Sequence, residues 1–329
     1  MTKPETRMKN RRSCNSFGFG HSDLIRPSAQ RLSTGHSGFG FRAFPFGFTL
    51  IEFLAAIGII AILVAIILPY MVMVREDAHR TECYAHLGQI QDALRHYAHD
   101  NGPNLPMPET SYDPVHKPTG YVAFTGADDP KAVQPNDITA SIWLLVRQGY
   151  VKDPATFICP STSDEPDRLT DVTGKPVPAQ RRGNFRSPRN LSYSYASPFT
   201  DAFNVVFSSD QLPAEYAVMA DRNPGYACNG IRVLGPARDA PPFELAKGNS
   251  PNHRQAGQNV LHPAGDVSFE STPYCGVSND NIYTVLAPHR LTASHPPLDV
   301  PGFIGTNLGP AYNYDSYLVP TAKDRWGNE

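Results

Sequence analysis

Cysteine is scarce, five in 329 residues, and no two form a C-x-x-C pair, so the spacing of zinc ribbons and dithiol redox motifs is missing. Lysine and arginine gather into no stripe beyond residue 47, which argues against a nucleic-acid-binding body. EF-hand spacing is absent, and the most tempting acid-base or metal set, His253, His262 and Asp266, matches no zinc or hydrolase motif. No catalytic site is therefore expected, since function has to be argued from a site. Helical periodicity is in short supply after residue 100, and 32 Pro with 25 Gly favour a body of short strands and loops. Long apolar runs are limited to one.

That run is FPFGFTLIEFLAAIGIIAILVAIILPYMVMVRE, residues 44 to 76, in which Glu52 is the only charge between Arg42 and Arg75. The 22 uncharged residues from Phe53 to Val74 rise about 33 Å as a helix, enough for a hydrocarbon core of ~30 Å. A secretory signal is the alternative, but its apolar region is shorter and ends in a small-residue cleavage site that AIILPYMVMVRE does not offer. Charge is distributed to match a membrane crossing. Residues 1 to 47 hold eight basic and two acidic side chains, net +6, whereas the rest holds 21 against 29, net −8. A basic flank of this kind stays in the cytoplasm while the acidic remainder crosses. A lone carboxylate at a helix end can reach the headgroups, but deeper in the bilayer it costs about 2.5 to 3.5 kcal/mol and so points to a use.

Gly47-Phe48-Thr49-Leu50-Ile51-Glu52, then the apolar run with Pro69, resembles the signal shared by type IV pilins and type II secretion pseudopilins. The resemblance implies cleavage between Gly47 and Phe48 by a prepilin peptidase, N-methylation of Phe48, and Glu52 and Pro69 at the fifth and twenty-second mature positions. In that family the new amine needs an anion at low dielectric, and Glu52 of a neighbouring subunit is the implied partner for assembly. Desolvation offsets much of such a pair's attraction, so it specifies register more than it adds stability. Pro69 is the implied kink.

Beyond Arg75 the pattern becomes periodic. Cys83, Leu87, Ile90, Leu94 and Tyr97 mark one helix face, and Glu76 with Arg80 forms an i,i+4 pair. Asn101-Gly102-Pro103 supplies the stop, giving one helix from about Phe48 to Asp100 whose second half is half buried. His79, His86, His96 and His99 are read as facing solvent. NDITASIWLLVRQGYV predicts a second helix capped by Asp137 or Thr139 and stopped at Gly149. NLSYSYA predicts a strand with one packed face; AEYAVMADRNPG predicts a strand ending in a turn. QNVLHPAGDVSFES predicts two strands around a turn that uses Pro263 and Gly265.

These blocks extend the resemblance to the major, G-type pseudopilin-like proteins over about residues 45 to 285. His253 stands in the place of a C-terminal His, about nine residues, Asp-Gly element; Ala264-Gly265 replaces its Asp-Gly, and Asp266 follows one place later. The implied fold is α+β and pilin-like: a long N-terminal helix, its first half transmembrane, on a small antiparallel sheet head with extensive loops. The implied organisation is a leader, 1–47, a helix, 48–102, with 48–74 in the membrane, and a head, 103–329. The implied partners are the peptidase/N-methyltransferase, other pseudopilins and further copies of the chain, a platform protein, an assembly ATPase and the inner membrane, with the head periplasmic and no nucleic acid. Some relatives hold calcium in a C-terminal loop, for which Asp280 and Asp221 are the candidates; no other cofactor is implied. The four cysteines after the run, Cys83, Cys159, Cys228 and Cys275, allow three connectivities. Cys83 with Cys159 would staple helix to head and leave Cys228 with Cys275; buried free thiols are the alternative. A membrane-anchored module recognising an envelope ligand such as a polysaccharide, and an anchored enzyme, are the competing functions.

Overall fold

The computed structural model describes residues 49–108, 124, 129–171, 173–197, 207–225, 235–284 and 318–319. The leader with Gly47 and Phe48, and Cys228 with its proposed pairing, lie outside the described residues. Helix α1 spans Leu50–Asp100, with Pro69 inside it. Proline offers no N–H to the carbonyl four residues back, here that of Ala65. Residues to Leu68 form one unit, and those from Pro69 onward belong to a second, the body.

Within the body, Cys83, Leu87, Ile90, Leu94 and Tyr97 are all buried, as their spacing predicts, with Gln91 and Ala93 beside them. Each large apolar side chain so buried contributes about 2 kcal/mol. The histidines on this helix divide: His96 and His99 are exposed, but His79 and His86 are half-buried. His86 is held by Nδ1 at 3.0 Å from the Ile158 carbonyl. The anticipated Glu76–Arg80 pair does not form. Arg80 instead meets Asp77 at 3.4 Å, and Glu76 turns into the body.

Helix α2, Ile138–Arg147, starts where predicted: the Asp137 carboxylate accepts from the Ala140 N–H at 2.9 Å. It ends before Gly149, whose φ of +86° is the left-handed stop. Its Ile138, Ile142 and Trp143 pack into the core, where Phe185 meets Trp143 and Phe157 edge-on at 4.9 and 5.4 Å.

Among the described residues five strands form one antiparallel sheet: β1 Tyr193–Ala196, β2 Met219–Asp221, β3 Gln258–Leu261, β4 Val267–Glu270 and β5 Leu318–Val319, in the order β4-β3-β2-β1-β5. Tyr193 faces Asp221 and Tyr195 faces Met219 across the central pair. The class is α+β. One expectation changes. Strand β1 is buried on both faces, because Ser194 within it and Ser192 just before it have partners inside the body. Ser192 Oγ donates to Asp164 at 2.8 Å, and Ser194 Oγ accepts from the Asn223 N–H at 2.9 Å. Between β3 and β4, the Gly265 N–H returns to the His262 carbonyl at 2.9 Å, closing the turn that Pro263 and Gly265 predict.

Candidate functional site

Two features of α1 carry chemistry. The first is its beginning. Every residue from Thr49 to Arg75 is exposed, and the segment is long and apolar enough to cross a membrane. Glu52 closes a capping box with Thr49: its carboxylate accepts from the Thr49 N–H and hydroxyl, each at 2.9 Å, while the Glu52 N–H reaches the Thr49 Oγ1 at 3.3 Å. The T-L-I-E spacing announces this box in the sequence, and it gives Glu52 a local role that the reading above does not include.

The second is a buried polar cluster that starts at Glu76, the first buried residue of α1. Four separated segments meet there. Helix α1 supplies Glu76 and Cys83, two turns apart on one face. Cys159 follows the short helical turn Pro154–Phe157, which Asp153 caps by accepting from the Ala155 N–H at 2.9 Å. Asp221 ends β2. His253 lies in the turn Asn252–Gln255, where His253, Arg254 and Gln255 take φ values of 53°, 57° and 62°. Three consecutive non-glycine residues in the left-handed region cost about 1 kcal/mol or more each and persist only where surrounding contacts fix them.

Those contacts are specific. His253 Nδ1 is 2.8 Å from Glu76 Oε1, and Ser161 Oγ donates to the same oxygen at 2.6 Å. His253 Nε2 is 3.4 Å from Asp221 Oδ2 and 3.6 Å from Cys159 Sγ. The two sulfurs, Cys83 and Cys159, are 2.7 Å apart, longer than a disulfide bond and closer than two thiols in contact. Asn259 donates its N–H to Asp221 Oδ2 at 2.7 Å, and Asn252 Nδ2 donates to Oδ1 at 3.1 Å. Cys83, Cys159, Asp221 and His253 have no solvent exposure, and one donor atom from each lies within 4.8 Å of all the others.

Burial works against charge on His253, yet its hydrogen bonds to Asp221 and Cys159 and the charge of Asp221 raise its pKa to about 11. Burial would also raise the Glu76 carboxyl, but Ser161 and His253 outweigh it and hold the acid below its usual range. Burial, with Cys83 adjacent, pushes the Cys159 thiol far up. The cluster thus holds the His253 ring between Glu76 and Asp221, beside the Cys159 sulfur. Two buried ion pairs brace the surrounding loops: Arg222 with Asp164 at 3.1 Å, and Arg182 with Asp167 through bonds of 2.6 and 2.8 Å.

The structure therefore brings together Cys83 and Cys159, and joins to them Asp221 and His253. It does not bring Asp280 into that cluster. Asp280 lies in a turn shaped by Asn281, whose Oδ1 accepts from the Tyr283 N–H at 3.0 Å. His262 is separate from His253, with Nδ1 at 3.2 Å from the Tyr216 carbonyl, and Asp266 is exposed. Half-buried Cys275 has its sulfur 3.7 Å from the Pro273 carbonyl. Sequence spacing missed the cluster because its donors come from four segments up to 170 residues apart. A long apolar N-terminal helix on a small antiparallel sheet is compatible with a pilin-like fold. Compared with family models, with curated proteins and with solved structures, the chain shows no match.

Proposed function

We propose that the chain is a pilin-like structural subunit, cut between Gly47 and Phe48 and assembled through α1 into a filament of the type II secretion or type IV pilus kind. The observation that carries this reading is the division of α1: exposed and apolar up to Arg75, then carrying a buried face from Glu76 onward. A soluble protein has no use for 26 consecutive exposed residues of that composition, whereas a subunit drawn from a bilayer into a helical bundle uses the same face twice. In this reading the leader is cytoplasmic, the head is periplasmic, and the protein acts by assembly, not catalysis. Its partners are the processing peptidase, sibling subunits, the platform and the ATPase.

The new amine of Phe48 and the Glu52 carboxylate of a neighbouring subunit form the assembly contact. In the isolated chain that carboxylate is held by Thr49, so assembly exchanges a capping interaction for an ion pair. Glu52→Ala in the full chain tests the reading: the variant is processed and membrane-bound but absent from filaments isolated with the wild type. Normal co-assembly of the variant would refute it.

A further inference from the structure

We propose that Cys83, Cys159, Asp221 and His253 form a closed site for one divalent metal ion of the zinc class, which ties helix α1 to the sheet of the body. The donor set is two sulfurs, one imidazole nitrogen and one carboxylate oxygen, all without solvent exposure. Such a set suits zinc and excludes calcium or magnesium, which take oxygen ligands. No donor position is left for water or substrate, so the site is structural.

Two edges of the cluster already have the dimensions of a filled tetrahedron. With zinc bond lengths, the nitrogen–oxygen edge is about 3.4 Å and the sulfur–nitrogen edge about 3.6 Å. His253 Nε2 stands 3.4 Å from Asp221 Oδ2 and 3.6 Å from Cys159 Sγ. The sulfur–sulfur edge does not: Cys83 and Cys159 stand 2.7 Å apart, against about 3.8 Å in a zinc dithiolate, so the site requires the two sulfurs to separate.

The outer contacts are those of a ligand set. A metal-bound histidine commonly gives its other ring N–H to a carboxylate, and Glu76 accepts from Nδ1 at 2.8 Å. Asp221 is aimed by the Asn259 N–H and by Asn252. Nε2 faces an anion and a sulfur, so the position between them is one for positive charge. Binding puts the metal there, bonded to Nε2, the Asp221 carboxylate and the two sulfurs as thiolates. A disulfide would engage only two of the four groups.

The test uses the full-length chain, solubilised in detergent under anaerobic reducing conditions, exposed to Zn²⁺ and desalted. About one zinc per chain is expected, and Co²⁺ in its place should give the thiolate-to-metal charge-transfer absorption of a tetrahedral site. Cys83→Ser and His253→Ala should abolish both signals. Glu76→Gln keeps all four donors and should weaken Zn²⁺ affinity about 10- to 100-fold, a readout that does not depend on the ligand variants folding. Zinc uptake unchanged in Cys83→Ser, or a metal-free protein whose Cys83 and Cys159 are disulfide-linked in non-reducing peptide mapping, would overturn the proposal.

Discussion

His253 Nδ1 lies 2.8 Å from Glu76 Oε1, so the first buried residue of the long helix is held by a loop that lies 177 residues further along the chain. The contact lies where α1 passes from an exposed apolar segment to one with a buried face.

Glu76→Ala should therefore lower stability by about 3 kcal/mol, because it strands a buried imidazolium that Asp221 alone then balances. Glu76→Gln retains an acceptor for Ser161 and His253 and should cost less than half as much. Thermal unfolding of the full-length variants in detergent would measure both. Equal losses would show that the carboxylate charge, which both variants remove, is what matters, and not the acceptor that glutamine keeps.

Acid sensitivity should be traceable to Asp167. Burial opposes its ionisation, but the Arg182 guanidinium and the N–H groups of Arg186 and Leu169 hold its carboxyl below the usual range. A depressed carboxylate adds stability above its unfolded pKa of about 3.9, and that stability is lost as pH falls through the lower folded value. Asp167→Asn should be destabilised at pH 7 and should show a shallower loss between pH 4 and pH 2, on the order of one carboxylate's contribution. An unchanged slope in acid titration followed by circular dichroism would count against this assignment.

Gly265 should not tolerate a side chain. Its φ is +97°, and an added Cβ would meet the Arg95 guanidinium, which donates to the Ala264 carbonyl at 2.7 Å, and the Gln91 amide. Gly265→Ala should cost about 2 kcal/mol, part of it backbone and part the displaced arginine. Adding Arg95→Ala should recover the second part, measured as a coupling of at least about 0.5 kcal/mol in a double-mutant cycle. Strict additivity would place the whole cost in the backbone.

Glu52→Gln separates the cap from the charge. Glutamine also closes a capping box, so the start of α1 should be unaffected. The charge for the Phe48 amine is gone, and filament incorporation should fall as far as in Glu52→Ala. Wild-type incorporation of Glu52→Gln would assign the residue to helix capping alone.

What could be read from the sequence was local. Asp137 and Gly149 bound α2 because a cap and a left-handed stop are properties of a few adjacent residues. The buried stripe from Cys83 to Tyr97 appears at its helical spacing. Thr49 and Glu52 also have a local signature, a Thr with Glu three places on, which the search for an intermolecular partner passed over. Ser192 and Ser194 misled because alternation of Tyr and Ser has the same pattern whether serine meets water or a buried partner such as Asp164. The cluster was out of reach for a different reason. Nothing in SPNHRQAG marks a left-handed turn, which glycine or asparagine would normally occupy, and only tertiary contacts hold His253 in it. Cysteines at 83 and 159 show a shared stripe and loop, but neither indicates Asp221 or His253 as neighbours.

The account depends most on where the mature chain begins. N-terminal sequencing with mass analysis of protein extracted from membranes should find Phe48 first, carrying an N-methyl group. A retained leader, or a start near residue 70 as in a cleaved secretory signal, would contradict the assembly reading at its origin.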